Sequence, residues 1–265
     1  MKQRIITAVI AASFFIPITI VGGWLFTLTI ILVASIAMVE LLKMKKIPPF
    51  SFIGLVSLIL MWILLVPTSW LDLSIFSHVN KVELFVFMIL ILLMTTVITK
   101  NKYTFDEVGF IILSSVYVGF GFHYLIMTRL DAVNGLALVF FVLFIIWSTD
   151  SGAYFVGRKL GRRKLWPDIS PKKTIEGSIG GIICAFVVGF VFQLIFPIFD
   201  SYIILGLVIL VASVFGQMGD LVESALKRHY AVKDSGNVLP GHGGILDRFD
   251  SLIYVMPILH LLQLI

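Results

Sequence analysis

Long apolar runs recur along almost the whole chain, and they restrict the fold more than any other feature of the sequence. Of the 265 residues, 59% are hydrophobic and 13% are charged, whereas about 25% of the residues in an ordinary soluble domain are charged. A helix needs roughly 17 to 25 apolar residues to cross the hydrocarbon core of a bilayer. The sequence therefore predicts an all-α, polytopic integral membrane protein.

We predict nine transmembrane helices from the apolar runs and from the charges, glycines and prolines between them. The predicted spans are 5–21, 24–42, 51–67, 82–99, 108–128, 134–149, 178–197, 202–219 and 250–265. Only Gly22 and Gly23 separate the first two spans, and Pro17 can kink the first helix without ending it. All nine helices are expected to form one membrane domain, 1–265, in which 1–131 contains N-terminal helices with short loops.

The distribution of basic residues predicts the orientation of the chain, because Lys and Arg are retained on the cytoplasmic side in short loops. With the N-terminus inside, only Lys81 and Arg129 of the 20 Lys and Arg residues fall outside. We therefore predict a cytoplasmic N-terminus and an external C-terminus. The formal net charge of +5 is then explained by topology and by attraction to anionic lipid headgroups. We expect no nucleic-acid partner, because the chain has no soluble basic module.

Most of the polar residues are concentrated in two segments, 150–177 and 220–249, which we predict to be long cytoplasmic loops. The first begins at Asp150, at the inner end of the sixth span, and contains a basic cluster at 158–164. This cluster has two open interpretations, a membrane-surface anchor or part of a binding site. Next comes Ser170-Pro-Lys-Lys-Thr174, which predicts a helix N-terminus capped by Ser170. Paired lysines and a threonine hydroxyl at such a terminus suit phosphate oxygens.

The second segment begins with a helical pattern and ends with a cluster of glycines and carboxylates. Positions 220, 223, 224 and 227 share one helix face, which carries Asp, Glu, Ser and Lys. This face is either functional or a solvated amphipathic surface. The glycines at 241, 243 and 244 permit positive φ and close approach of backbone amides to a phosphate. His242 is expected to be a neutral hydrogen-bond donor, with metal ligation or proton transfer as the alternatives.

Three carboxylates are predicted to lie at the same membrane depth, at the cytoplasmic ends of different helices. They are Asp150, Asp220 and Asp247. Carboxylates beside a surplus of Lys and Arg are what a Mg²⁺–phosphate site needs, since Mg²⁺ prefers hard oxygen ligands. Among the other acidic residues, Glu40 is expected to be structural, with Lys43 one helical turn away as its partner.

The stretches that follow Asp220 resemble the signature of the phosphatidate cytidylyltransferases, also called CDP-diacylglycerol synthases. The resemblance lies in Ser224-Ala-Leu-Lys227-Arg228, in Lys233-Asp-Ser-Gly236 after four further residues, and in Leu239-Pro-Gly-His-Gly-Gly-Ile-Leu-Asp-Arg-Phe-Asp250. Asp150-Ser-Gly-Ala-Tyr154 and Ser170-Pro-Lys-Lys-Thr-Ile-Glu-Gly177 resemble a second block of the same family. The resemblance is specific from about 147 to 250. Before that, only length and hydropathy agree.

This resemblance implies an enzyme that transfers CMP from CTP to phosphatidate, with CDP-diacylglycerol and pyrophosphate as products. It also implies a homodimer that depends on Mg²⁺, with K⁺ as the second cation, and a site on the cytoplasmic side of a bacterial cell membrane. Catalysis is then assigned to 132–265. Asp220 and Asp247 become the implied metal ligands, with help from Asp150.

Positioning and charge neutralisation carry most of the catalysis in transfers at phosphorus. The residues expected to be catalytic are Asp220, Asp247, Lys227, Arg248 and Lys173. Those expected to bind substrate are Asp150, Lys172, Thr174, Glu176, Ser224, Arg228, Lys233, His242, Gly243, Gly244 and Asp250. For Asp250, an alternative is that it holds Arg248 or Lys227 in place.

Two other functions would also use acidic and basic residues in a membrane protein. A CTP-dependent lipid-alcohol kinase of the dolichol or phytol type would move the γ-phosphate of CTP and release CDP. An ion or phosphate transporter would place its ionisable residues near the bilayer midplane. Here they collect at one predicted membrane face, which favours an enzyme over a transporter.

Overall fold

Nine α-helices, one short 3₁₀ helix and one β-hairpin form the secondary structure of the described residues. The computed structural model describes residues 2–70, 80–241 and 243–265, without the side chains of residues 2, 4, 5 and 69. The helices are α1 Lys2–Val21, α2 Gly23–Met44, α3 Phe52–Leu65, α4 Lys81–Ile98, α5 Phe105–Asp131, α6 Gly135–Leu160, α7 Ile175–Ile195, α8 Tyr202–His229 and α9 Leu246–Leu261. The 3₁₀ helix is Thr68–Trp70, and the strands are β1 Lys164–Trp166 and β2 Ser170–Thr174.

Every predicted span overlaps one of these helices. Six of them, α2 and α4 to α8, are long and apolar enough to cross a membrane. The apolar part of α1, Ile6–Val21, and the whole of α3 are shorter. Pro17 lies inside α1 and does not end it, as predicted. Gly22 and Gly23, with φ of 69° and 57°, form the turn between α1 and α2, a conformation that glycine adopts at little cost.

The β-hairpin is a departure from the predicted all-α fold, and the helix start predicted at Ser170 is wrong. Ser170–Thr174 forms strand β2, which pairs antiparallel with β1. Pro171 has no N–H to donate, but a two-stranded sheet consists of edge strands, where proline is tolerated. Helix α7 begins at Ile175, and Thr174 caps it by accepting a 3.1 Å hydrogen bond from the Gly177 amide.

Two helices extend well beyond the predicted membrane spans, so the two predicted loops are shorter than expected. Helix α6 continues to Leu160 and α8 to His229. Charged residues end the two apolar runs and therefore end the predicted spans, but α6 and α8 continue through them. Six of the eight residues at 221–228 are Leu, Glu, Ala, Lys or Arg, which are good helix formers. The helical face predicted for positions 220 to 227 is therefore confirmed.

Helices α6 and α7 pack closely because small residues line their interface. A Cβ atom added at Gly152 in α6 would lie 2.8 Å from the Cys184 Sγ atom in α7. One added at Gly181 would lie 2.5 Å from the Thr149 carbonyl oxygen. Small residues allow helix backbones to approach closely in membrane proteins. This contact places Asp150, next to Thr149 on α6, beside the N-terminal end of α7.

Gly181→Ala should destabilise the protein by about 1–3 kcal/mol, because the added methyl group overpacks the α6–α7 contact. Gly109→Ala in α5 is the matched control, since nothing lies within 4 Å of the added Cβ atom there. Alanine is the better helix former, so the control should be neutral or stabilised. Thermal unfolding in detergent measures both effects. Equal midpoints for the two variants would contradict the close packing.

Helix α8 also packs closely on α9, at another small residue, Gly219. A Cβ atom at Gly219 would lie 2.8 Å from the Asp250 carbonyl oxygen and 2.8 Å from the Tyr254 Cβ atom. Helix α5 packs on α9 from another side, where the buried Phe122 ring lies 5.4 Å from that of Phe249. The polar ends of α6, α8 and α9 are thereby held by apolar packing on several sides.

Candidate active site

A cavity of about 450 Å³, lined in part by charged side chains, lies where α6, the β-hairpin, α7 and α8 meet. We refer to it as the Asp150–Asp220 cavity. Helix α6 contributes Asp150, and α8 contributes Asp220. The full lining is Asp150, Ala153, Tyr154, Gly157, Arg158, Leu165, Ser170, Lys172, Lys173, Thr174, Gly177, Ser178, Gln217 and Asp220. Carboxylates from two helices and lysines from the hairpin therefore face one volume.

Asp220 is the carboxylate in this cavity with two side-chain partners. Its Oδ2 atom lies 2.5 Å from the Lys173 ammonium, and its Oδ1 atom accepts a 3.3 Å hydrogen bond from the Ser224 hydroxyl. The side chains of Lys173 and Asp220 are 24% and 33% exposed. The Lys173 ammonium nitrogen itself is buried, so the Asp220 side chain is the more accessible half of this ion pair.

Asp247 belongs to a second, more buried cluster. Its Oδ1 atom lies 2.5 Å from the Lys227 ammonium, which also contacts the Glu223 carboxylate at 2.8 Å. Its Oδ2 atom accepts hydrogen bonds of 2.8 Å from the Ser235 amide, the Ser235 hydroxyl and the Gly244 amide. The Asp247 side chain is 6% exposed. Asp247 is therefore held in one orientation by donors from α8 and from the polypeptide between α8 and α9.

A third polar region, the loop recess, has a volume of about 490 Å³. It is lined by Lys233, Asp234, Asn237, Leu239, Pro240, Gly241, Gly243 and Arg248. Gly241 and Gly243 have φ of 77° and 85°, as their predicted conformational role requires. The Gly243 carbonyl accepts a 3.0 Å hydrogen bond from the Leu239 amide, and the Gly244 amide donates to Asp247. The Gly243 carbonyl and the Gly244 amide therefore stabilise the loop and its connection to α9.

The structure separates the predicted site residues into three groups. Those that line the Asp150–Asp220 cavity are Asp150, Lys172, Lys173, Thr174 and Asp220, with Ser224 bonded to Asp220. Those in the Asp247 cluster are Asp247, Lys227 and Gly244. Those in the loop recess are Lys233, Gly243 and Arg248.

Four other predicted site residues lie elsewhere or cannot be placed. Glu176 accepts hydrogen bonds from the backbone amides of Arg162 and Arg163, so it organises the start of the hairpin. Arg228 is exposed and donates to the Val232 carbonyl at 3.4 Å. Asp250 is buried in α9. His242 lies outside the described residues.

Several residues at the site were not among the predicted catalytic and substrate-binding residues. Tyr154, Arg158 and Gln217 line the Asp150–Asp220 cavity. Glu223 contacts Lys227 and is 1% exposed. Tyr154, at i+4 from Asp150, could have been found from helical spacing. Gln217 has the same signal, because it lies at i−3 from Asp220.

The arrangement fits a Mg²⁺ ion that is bound together with substrate. Within the described parts of the chain, no three His, Cys, Asp or Glu side chains are gathered as a metal-binding group. Mg²⁺ commonly takes only one or two carboxylates and completes its shell with phosphate oxygens and water. Asp150 and Asp220, which line the same cavity, provide two such carboxylates. The lysines beside them suit the phosphate charge that the metal leaves unneutralised.

The fold and the site define an integral membrane protein with a charged cavity suited to a phosphorylated substrate. The model of the cytidylyltransferase family matches residues 2–265, and the chain belongs to this family. A phosphatidate cytidylyltransferase of Bacillus subtilis strain 168 is 54% identical over 264 residues, covering 99% of this chain and 97% of that protein.

Two relatives from staphylococci are also named phosphatidate cytidylyltransferase. The protein of Staphylococcus haemolyticus strain JCSC1435 is 46% identical over 265 residues. That of Staphylococcus epidermidis strain RP62A is 45% identical over 262 residues. Each alignment covers 99% of this chain and 98% of the relative. The similarity therefore includes the N-terminal helices as well as the polar segments.

Proposed function

We propose that this chain transfers CMP from CTP to phosphatidate and forms CDP-diacylglycerol and pyrophosphate in phospholipid biosynthesis. The observation that carries this assignment is the cavity in which Asp150 and Asp220 face Lys172 and Lys173. Membership of the cytidylyltransferase family over residues 2–265 supports the same reaction. So does the 54% identical relative named phosphatidate cytidylyltransferase.

In this reaction a phosphate oxygen of phosphatidate attacks the α-phosphorus of CTP. The new P–O bond forms as the bond between the α-phosphorus and the bridging oxygen breaks, and pyrophosphate leaves with the electron pair. The nucleophile is already anionic near neutral pH, so the step needs no strong general base. Lys172, Lys173 and Arg158 are placed to neutralise charge on phosphate oxygens, which is the main requirement in transfers at phosphorus.

Mg²⁺ is part of this proposal, with Asp220 and Asp150 as the residues that hold it and K⁺ as the second cation. The bound metal ion would act as a Lewis acid on phosphate oxygens. Lys173 now contacts Asp220, and it would turn towards phosphate when substrate is present. Asp247 is the third proposed ligand, and its carboxylate would exchange the contact with Lys227 for the metal ion.

We further propose nine membrane spans, with a cytoplasmic N-terminus, an external C-terminus and the site on the cytoplasmic side of the bacterial cell membrane. The distribution of Lys and Arg supports this orientation. Cytosolic CTP would then reach the cavity directly, and the lipid would enter from the inner leaflet. Fusing a periplasmic-active reporter enzyme after residue 265 tests the orientation. An active reporter is expected, and an inactive one would place the C-terminus inside.

A homodimer is the proposed assembly. Only 11% of the residues in the apolar stretch of α4 are buried within the chain, which leaves most of this helix available to lipid or to a second copy. Light scattering of the protein in detergent, corrected for bound detergent, measures the mass. Two copies per particle are expected. A single-copy mass at enzymatically active concentrations would contradict the dimer.

The experiment that tests the function uses purified protein, phosphatidate, Mg²⁺ and CTP labelled at either the α- or the γ-phosphate. We expect the α-label in a chloroform-soluble lipid and the γ-label in pyrophosphate. A lipid-alcohol kinase would instead transfer the γ-label to an added polyprenol and release CDP. Absence of labelled CDP-diacylglycerol with fully folded protein would contradict the proposed function.

Lys173→Gln should lower kcat about 10²-fold, because one preorganised positive charge beside the phosphates is removed. Lys159→Gln is the matched control, since Lys159 is exposed in the last turn of α6 and does not line the cavity. The control should retain normal kcat. Steady-state rates at saturating CTP and phosphatidate measure both. Equal rates for the two variants would remove Lys173 from the proposed mechanism.

A further inference from the structure

Glu40 is a buried carboxylate in a membrane helix, far in sequence from the residues discussed above. It lies in α2 near the end of a very apolar run, and it is 2% exposed. The predicted partner, Lys43, is exposed, and no salt bridge in the described part of the chain includes Glu40. A buried charge is costly unless hydrogen bonds satisfy it, so its actual contacts indicate why it is there.

The Glu40 carboxylate caps the N-terminal end of α9. Its Oε1 atom accepts a 2.9 Å hydrogen bond from the Ile245 amide, and its Oε2 atom accepts one of 2.9 Å from the Leu246 amide. The residue at the N-cap position, Ile245, has no side chain that could cap the helix itself. The first amides of a helix lack partners within the helix, and a negative charge there is favourable. Glu40 supplies both the acceptors and the charge.

The same carboxylate is linked to Asp247 through Ser235. The Ser235 hydroxyl lies 3.1 Å from Glu40 Oε2 and 2.8 Å from Asp247 Oδ2. Its one proton can serve only one of the two carboxylates at a time. The Ser235 amide donates to Asp247 at 2.8 Å in addition. Glu40 and Asp247 therefore both contact the Ser235 hydroxyl, and both accept hydrogen bonds from backbone amides at or just before the start of α9.

Two glycines leave room for the Glu40 side chain. A Cβ atom added at Gly236 or at Gly244 would lie 2.5 Å from Glu40 Oε1. Neither glycine has a positive φ, so backbone conformation is not the reason for glycine at these positions. The chain at Gly236 and the chain at Gly244 therefore both pack against the Glu40 carboxylate. This packing is a second observation, independent of the hydrogen bonds.

We propose that Glu40 is a positioning residue for the transfer reaction. By fixing Ser235 and the start of α9, it sets the orientation of Asp247 and Arg248 towards the substrate phosphates. This proposal rests on the proposed function. Glu40 itself touches no reacting atom and acts only through the groups that it holds.

The test compares Glu40→Gln and Glu40→Ala with Thr27→Val. Thr27 is buried in the same helix, and its hydroxyl donates to the Gly23 carbonyl at 3.2 Å, within α2. Hydrogen exchange of the peptide that contains Ile245 and Leu246 should become about tenfold faster in both Glu40 variants, as expected for the loss of a cap. Exchange in α3 should not change. The control should leave exchange at both places unaltered.

Activity per folded molecule provides the second measurement. Glu40→Ala should lower kcat at least about tenfold, which is typical for residues that orient a metal or phosphate ligand. Glu40→Gln keeps one acceptor oxygen and should lie between the wild type and Glu40→Ala. A residue that only stabilises the fold would reduce the amount of folded protein and leave kcat per folded molecule intact.

Several results would overturn the proposal. The first is unchanged exchange at Ile245 and Leu246. The second is a kcat within about threefold of wild type in both Glu40 variants. The third is a loss of kcat in Thr27→Val as large as that in the Glu40 variants. If the Glu40 variants do not fold, Gly236→Ala is used instead. Its added Cβ atom would displace the Glu40 carboxylate, so exchange at Ile245 and Leu246 should again become faster and kcat should again fall. If none of these variants folds, Glu40 is structural. Lack of activity in the wild type would contradict the proposed function instead, while the exchange test stays valid.

Discussion

Asp220→Asn should lower the rate of CDP-diacylglycerol formation at least about 10³-fold. Asp220 is the carboxylate that contacts Lys173 and shares the cavity with Asp150. Metal-ion stabilisation of a developing charge is worth several kcal/mol, and each 1.4 kcal/mol changes a rate about tenfold. Asparagine keeps the size and one oxygen but loses the negative charge. The variant should therefore fold normally and fail in catalysis.

Measurement of product formation at saturating CTP and phosphatidate, over a range of Mg²⁺ concentrations, tests this expectation. Asp106→Asn is the control, because Asp106 is exposed in the first turn of α5 and does not line the cavity. Both variants should elute from a size-exclusion column in detergent like the wild type. An Asp220→Asn rate close to that of Asp106→Asn would exclude Asp220 as a metal ligand.

Asp247→Asn should lower kcat by about 10²- to 10³-fold. Four donors converge on this carboxylate: the Lys227 ammonium, the Ser235 amide and hydroxyl, and the Gly244 amide. An asparagine amide presents one oxygen and one NH₂ group. In either orientation the NH₂ group faces donors, either Lys227 or the two backbone amides. The start of α9 would then shift, and a 1 Å misplacement of catalytic groups can cost about 10²-fold.

The same substitution leaves buried donors without acceptors, which costs about 1–3 kcal/mol of stability. A lower thermal midpoint is therefore expected together with the loss of activity, and rates must be divided by the amount of folded protein. Asp200→Asn is the matched control, since Asp200 is exposed in the loop between α7 and α8. Near-normal kcat in folded Asp247→Asn would contradict both roles of Asp247, as a ligand and as the organiser of this cluster.

Much of the fold follows from patterns that are local in the sequence. Hydropathy predicted where each helix lies, because a bilayer imposes a minimum length on an apolar segment. Helical spacing predicted that positions 220, 223, 224 and 227 share one face, and α8 contains all of them. The errors were also local. Lys172 and Lys173 were expected in a helix, but they lie in a strand, since Ser-Pro can begin a helix and can equally occupy an edge strand.

The candidate site was only partly predictable. Asp150, Asp220 and Lys173 are predicted site residues that line one cavity in the structure. Asp247 was expected at the same membrane depth as Asp150 and Asp220, and the sequence did not indicate its hydrogen-bond partners, which are Lys227, Ser235 and Gly244. Such a choice of partner depends on distances between helices that are separate in sequence. Residue type alone indicates that a carboxylate will find donors, but not which ones.

The sequence by itself determined that the chain is a membrane protein whose acidic and basic residues gather at the ends of its C-terminal helices. It could do so because apolar length and helical periodicity are properties of consecutive residues. Only the tertiary structure decided that Glu40, more than 200 residues before α9, caps that helix. The physical reason is that a buried carboxylate must take its hydrogen bonds from whatever donors the packing of α2 against the loop and α9 brings within reach.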